Sequence, residues 1–154
     1  MTAYELALRY QGLREVPGIS SNRQILDMLK LDENWPKDDE VAWCSAFVNF
    51  IAWNLRLPRS KSLAARSWLK IGQIITLATA KPGYDVVIIS RGEGLQPGPT
   101  IIDAPGHVGF FAGADDTHLY ILGGNQNNEV NISPFLKSRF LGIRRLRTNQ
   151  PATI

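Results

Sequence analysis

Along the first half of the chain apolar residues recur at helical spacing; along the second half they come in short β-rich runs. Residues 2–11 predict a short helix with Leu6, Leu8 and Tyr10 on its apolar side, stopped by Gly12. PGISSN (17–22) reads as a turn, and Asn22 at its end can cap a second helix running through Ile25, Leu26 and Leu29. DENWPKDDE (32–40) is a polar loop. From Ser45 onward Ala46, Phe47, Val48, Phe50, Ile51 and Trp53 are apolar on nearly every side, the mark of a buried helix. That helix is expected to end near Asn54, because Pro58 forbids much continuation. SLAARSWLKIG (62–72) predicts one more short helix, closed by Gly72.

The period then changes. DVVIIS (85–90), HVGFFAG (107–113), HLYILGG (118–124), EVNIS (129–133) and FLGIRRL (140–146) are strand-like runs separated by Gly, Asn, Asp and Pro. Helices first and strands after imply an α+β fold, an antiparallel sheet with the N-terminal helices packed to one side. One domain is expected over 1–147, with a helical part at 1–72 and a sheet part at 83–147, followed by a frayed tail at 148–154. RGEGLQPGPTIIDAPG (91–106) is the one long connection, and long loops in compact domains are usually functional or disordered.

Composition adds exclusions. The 154 residues are 44% hydrophobic and 20% charged, the balance of a soluble globular protein. One cysteine rules out an intramolecular disulfide, and one cysteine with two histidines speaks against a zinc site. The three adjacent acids Asp38, Asp39 and Glu40 lack the alternation of a calcium loop, so neither metal nor cofactor is expected. No stretch reaches the roughly 20 apolar residues of a membrane span, and the first residues lack the pattern of a secretory signal. A monomer is expected. The net charge of +3 gathers late, in Lys137, Arg139, Arg144, Arg145 and Arg147. Such a face suits an anionic polymer, but no nucleic-acid-binding module is visible, so nucleic acid is not the expected partner.

Candidate chemistry centres on Cys44. A lone cysteine in an apolar helix is commonly a small packing residue. This one stands at the predicted helix start, after an acidic loop able to cap that end, where free N–H groups and the helix dipole favour a thiolate. In APGHVGFF, Pro105 and Gly106 place His107 at the head of a strand, as a plain polar residue or as the base for a thiol. In LYILGGNQNNEV, two glycines signal close backbone approach, followed by Asn125 and Gln126. A carboxamide there can orient an imidazole, or belong to an ordinary Asn-rich turn. His118 begins the next strand after GADDT, too early for the same end of the sheet.

Taken in order, DDEVAWCSAFVN, SLAARSWLKIG, GHVGFF, LGGNQNNEVNIS and FLGIRRL resemble the NlpC/P60 and CHAP superfamily of papain-like cysteine peptidases and amidases. These cut bacterial peptidoglycan, and the likeness is greatest to the phage- and prophage-associated CHAP-like branch. GLREVPG…SNRQIL fits that branch's N-terminal helical part. The resemblance implies a papain-like α+β core with Cys44 as nucleophile, His107 as general base and Asn125 as polar third residue, Gln126 being the alternative. Trp43, Asp39 and Gln126 are candidates to line the substrate groove, although a Trp flanking a buried helix is more often a packing residue. It further implies hydrolysis of a stem-peptide bond or of the N-acetylmuramoyl-L-alanine amide. Two settings fit: a phage endolysin freed by a holin, or an injected antibacterial effector with an immunity protein as partner. In both, the chain is made in the cytoplasm and acts on the wall in the periplasm. A non-catalytic wall-binding module on the same fold and a thiol acyltransferase are the alternatives. Two departures stand out: the family's Gly-Asp before the first strand is split here as Gly83-Tyr84-Asp85, and the 91–106 loop is long enough to shape a groove.

Overall fold

Thr2 and Glu5 cap each other at the start of the chain. The Thr2 hydroxyl accepts from the Glu5 N–H at 3.1 Å and the Glu5 carboxylate accepts from the Thr2 N–H at 2.9 Å. Helix α1 (Ala3–Leu8) follows in the computed structural model, which describes residues 1–16, 21–36 and 42–147. α1 is shorter than the apolar spacing implies, because the chain leaves it to meet the sheet, the Gly12 N–H donating to Val130 O at 2.9 Å. Its fully buried residues are Ala3 and Ala7, small enough for close approach, while Leu6, Leu8 and Tyr10 pack half-buried around them. Asn22 caps α2 (Arg23–Leu29), accepting from Gln24 N–H at 2.9 Å and Ile25 N–H at 3.3 Å. Ile25, Met28 and Leu29 turn inward.

The long apolar run forms α3 (Cys44–Asn54), buried at every position from Cys44 to Asn49 and at Ile51 and Ala52. Trp53 points outward. The expected helix within 62–72 is a short 3₁₀ segment, Ala65–Lys70, burying Ala65, Arg66, Trp68 and Leu69. Gly72 closes it for a steric reason. A Cβ there would stand 2.6 Å from Arg145 O, and φ is +78°.

Six antiparallel strands follow: β1 (Gln73–Ile75), β2 (Asp85–Ser90), β3 (Gly106–Ala114), β4 (His118–Gln126), β5 (Glu129–Leu136) and β6 (Phe140–Arg145). They lie in the order β1-β6-β2-β3-β4-β5. The apolar pattern missed β1, which has three residues, two of them exposed. Pro134 sits in the edge strand β5, where a missing N–H costs no ladder bond to a further strand.

The two sheet faces pack differently. Val86, Ile88, Val108, Phe110 and Leu122 join the helices in the larger cluster. Val87, Ile89, Phe111, Leu119, Ile121 and Ile143 form a second cluster, closed by Ile75, Phe135 and Phe140 from the sheet and by Leu77 and Ala80 from a short 3₁₀ turn after β1. Asp85, 1% exposed, ties β2 to β6 by a two-pronged bond to Arg145, Oδ1 to Nε 2.7 Å and Oδ2 to Nη2 2.9 Å. Among the described residues no helix is long and apolar enough to cross a membrane.

Candidate active site

Cys44 opens α3, and the next residue fixes that helix end in place. The Ser45 hydroxyl donates to Ser62 O at 2.6 Å and accepts from Trp68 Nε1 at 2.9 Å. One turn on, Asn49 donates to Ser45 O and Ser62 O, each at 3.2 Å, and accepts from the Lys61 N–H at 3.0 Å. This buried network ties the helix start to the 60–68 connection. The expected acidic cap is not the residue at the cap position. That residue is Trp43, which makes no side-chain cap bond, and Asp38, Asp39 and Glu40 lie outside the described residues.

His107 reaches the helix from the start of β3. Gly106 before it leaves no room for a Cβ, which would stand 2.9 Å from Arg66 Cγ and 3.1 Å from Ile89 O. Arg66, fully buried, holds this approach by donating to Pro105 O, Pro97 O and Gly98 O, each at 2.9 Å. The loop at 91–106 is therefore tied down at its second half. The imidazole lies 5.2 Å from the Phe135 ring at an interplanar angle of 30°.

The carboxamide partner of His107 is Gln126, with Nε2 and Oε1 2.9 Å apart. The Gln126 amide nitrogen donates to Ile121 O at 3.0 Å, Asn131 O at 2.8 Å and Asn131 Oδ1 at 2.9 Å. With its donors so engaged, Gln126 offers oxygen to the ring. His107 therefore carries its proton on Nε2, and Nδ1 is left for the thiol. This corrects the sequence-based placement of Asn125. Register shifts by one between Gly123↔Asn131 and Gln126↔Glu129, a bulge in which Asn125 adopts φ +57°. The extra residue breaks the two-residue alternation, and the carboxamide one position later turns to the histidine. Asn127 and Asn128, both at positive φ, then close the hairpin.

The twin glycines serve two neighbours. A Cβ on Gly123 would lie 2.5 Å from Gln126 Oε1, and one on Gly124 would lie 2.6 Å from Trp43 Cζ3. Trp43 is fully buried and donates from Nε1 to Glu15 Oε1 at 2.7 Å. It packs the helix start against β4 and cannot line a groove, which corrects the expectation for it. Gln126, also buried, orients the imidazole, although its edge contributes to the pocket wall. Asp39 lies outside the described residues. His118 opens β4 with its Nδ1 2.7 Å from Thr117 Oγ1 and its N–H donating to Asp115 Oδ1 of the preceding turn.

The electrostatics of the pair follow from its burial. Burial alone pushes the Cys44 thiol up, but the pull of His107, its hydrogen bond and the Val108 N–H outweigh this, and the thiol lies below its ordinary value. Burial alone pushes the His107 imidazole down, but the Cys44 thiolate, its hydrogen bond and that of Gln126 outweigh this, and the imidazole lies above its ordinary value. Arg91 adds a smaller lowering influence on both groups. Each group of the pair stabilises the charged form of the other. Cys44 is 3% exposed and His107 7%.

The imidazole edge opens into a pocket of about 450 Å³, lined also by Ser90, Arg91, Asn125, Gln126, Phe135 and Arg139. Sequence reasoning missed the Ser45–Asn49–Trp68 anchor, the Asn131 brace on Gln126 and the two arginines. A polar residue inside an apolar helix (Asn49) and a polar residue between Val130 and Ile132 (Asn131) were the available signals. Among the described residues no three His, Cys, Asp or Glu side chains gather as a metal site requires.

No protein-family model matches the chain, and no curated protein matches it significantly. Solved structures do. The chain is similar to NlpC1 from Trichomonas vaginalis with a TM-score of 0.56 at 17% identity, over 96% of this chain and 44% of that one. It is also similar to the P60 domain of antigen MAP1272c from M. avium paratuberculosis, with a TM-score of 0.49 at 15% identity, over 94% of this chain and 96% of that one. The chain thus spans less than half the length of the first protein. At such identity the likeness shows the fold, an α+β arrangement of NlpC/P60 type, in agreement with the fold class expected from sequence.

Proposed function

We propose that the protein is a cysteine hydrolase that cleaves an amide bond of bacterial peptidoglycan, in a stem peptide or at the sugar–peptide link. The observation that carries this reading is the buried line Cys44–His107–Gln126: a thiol lowered and an imidazole raised by each other, with the ring's far nitrogen on a braced carboxamide. Mutual stabilisation of the charged forms is what a thiol nucleophile needs, and packing alone has no use for it.

In this mechanism the Cys44 thiolate attacks the carbonyl carbon, and the displaced electron pair moves to oxygen. N–H groups at the start of α3 stabilise that oxyanion, each such donor being worth about 10²–10³ in rate. The C–N bond breaks as His107 passes its Nδ1 proton to the leaving amine, giving a thioester. Water then attacks, His107 takes its proton, and the thiolate departs from the released carboxylic acid. Gln126 keeps the ring in the tautomer and plane that both transfers need. Transfer of the acyl group to an amine in place of water would make the same chain a transpeptidase. The family likeness noted in the sequence supports a phage- or prophage-borne lysin or an injected effector acting on the periplasmic wall.

Digestion of purified sacculi, with fragments identified by mass, tests the proposal. Wild type is expected to release fragments bearing a new carboxylate and a new amine, and Cys44→Ala none. Lysis by folded Cys44→Ala contradicts the thiol mechanism. One observation favours a second reading, a binding module: the sulfur is nearly enclosed and does not itself line the pocket. Tight binding of sacculi by a wild type that releases nothing, with a thiol inert to iodoacetamide, establishes that reading instead.

A further inference from the structure

Within SLAARSWLKIG one charged side chain, Arg66, is fully buried. Arg59 and Arg145 meet Asp32 and Asp85, but Arg66 pairs with no carboxylate among the described residues. A guanidinium taken out of water without a counter-charge costs free energy, and its Nη2, buried with no hydrogen-bond partner, adds to that cost. An apolar side chain would fill the same space at lower free energy. The offset comes from four carbonyl dipoles, all supplied by the 91–106 connection. Nη1 donates to Pro97 O and Gly98 O at 2.9 Å and to Ile101 O at 3.1 Å, and Nε donates to Pro105 O at 2.9 Å.

The connection has few bonds of its own. Among the described residues its backbone supplies Ile101 N–H to Gly98 O at 3.2 Å and Ala104 N–H to Ile102 O at 3.0 Å, and Pro97, Pro99 and Pro105 have no N–H to donate. Its first half, Gly92 to Pro99, walls a second cavity of about 620 Å³ with Leu136, Phe140 and Leu141. Its other end, Pro105, stands two residues before His107. The Arg66 stem lies beneath the residue between them, where a Gly106 Cβ would stand 2.9 Å from Arg66 Cγ. One planar, rigid group therefore ties the wall of the second cavity to the start of the strand that carries the imidazole.

We propose that Arg66 is a positioning residue for His107 and joins the second cavity's wall and the imidazole into one mechanical unit. His107 meets Cys44 only while the 97–101 segment lies against the guanidinium. This rests on the thiol–imidazole pair of the reading above and adds a control on it. Side-chain reach separates the two halves of the bridge. Glutamine ends its amide nitrogen where arginine has Nε, so Arg66→Gln keeps a donor for Pro105 O and loses those for the 97–101 segment. Arg66→Lys keeps the charge and loses the fork.

The pH dependence of Cys44 alkylation by iodoacetamide, measured on the full chain beside a melting curve, tests the proposal without requiring turnover. Near pH 7 folded Arg66→Lys and Arg66→Gln are expected to label about 3- to 10-fold more slowly than wild type, with curves between those of wild type and His107→Ala. Asn49→Ala, a destabilised control, is expected to keep the wild-type curve in its folded fraction, so loss of stability alone does not produce the shift. An Arg66→Lys curve that matches wild type overturns the positioning role. An Arg66→Gln curve that matches wild type overturns the mechanical unit, because the bond to Pro105 then suffices. Failure of both variants to fold overturns the proposal as well, since Arg66 then holds the domain and not the histidine. Coincident curves for wild type and His107→Ala sink the pair itself, and with it the hydrolase reading. Well-separated curves with both Arg66 variants on the wild-type one sink Arg66 alone.

Discussion

Cys44 and Ser45 are consecutive, both buried, and both hydrogen-bonded, yet they feed networks of opposite character. Ser45 joins Asn49, Ser62 and Trp68, all neutral groups with partners inside the protein. Cys44 joins His107 and Gln126, where two titratable groups charge each other and the ring edge meets a pocket. Burial does not separate a scaffold from a reactive site here. Titratable partners and an opening to solvent do. The neutral network spends its bonds holding the helix start still, and that stillness lets the neighbouring thiol meet an imidazole from a distant strand.

The largest effect should come from removing the reactive half. Cys44→Ala is expected to lower wall hydrolysis by about 10⁴-fold or more while the melting temperature stays within about 4 °C. Mass analysis of digested sacculi beside a calorimetric scan checks both. Next comes the brace. Gln126→Leu removes a buried hydrogen bond to a charged ring, about 1.5–3 kcal/mol, or about 10- to 100-fold in kcat. Asn125→Gly keeps the positive-φ backbone and should leave kcat near wild type. Equal losses in the two would return the orienting role to Asn125.

That pair of variants marks where sequence reasoning stopped. The fold class, Asn22 as a helix cap, the buried helix from Cys44 and the spans of five strands could be read from periodicity and capping. Cys44 and His107 could be placed at element starts. Gln126 could not be chosen over Asn125, because strand alternation gives the wrong parity across a bulge, and a bulge of asparagine rather than glycine carries no plain signal. Trp43 looked like a groove wall because aromatic residues beside a nucleophile often are. Its burial depends on Gly124, 81 positions along the chain, and on Glu15, neither visible as a neighbour in sequence. β1 was too short and too exposed to register.

The neutral half of the comparison breaks differently. Asn49→Ala strands the Lys61 N–H and takes a donor from Ser45 O and from Ser62 O, which keeps the Ser45 hydroxyl, at a cost of about 2–4 kcal/mol. Thermal unfolding should fall by about 5–15 °C, while the pH profile of the folded fraction stays where it was. A moved pH profile would show that the two networks are coupled. The smallest effect concerns Arg91. After burial and the mutual pull of thiol and imidazole, its charge slightly lowers both groups. Activity should fall on the acid side as the thiolate takes up a proton and on the alkaline side as the imidazolium loses one. Arg91→Gln should therefore move both limbs of the kcat profile upward in pH, a direction that loss of packing would not impose.

The central claim is that Cys44 is held as a thiolate by His107. The pH dependence of iodoacetamide alkylation in folded wild type and His107→Ala tests it most directly. The account predicts rapid labelling of wild type near neutral pH, with a rate that levels off well below the ordinary thiol pKa of about 8.5. In His107→Ala, burial acts unopposed by the imidazole, and the rate should climb only at higher pH. Wild-type and variant curves that coincide, or a wild-type thiol that labels only above its ordinary pKa, would contradict it.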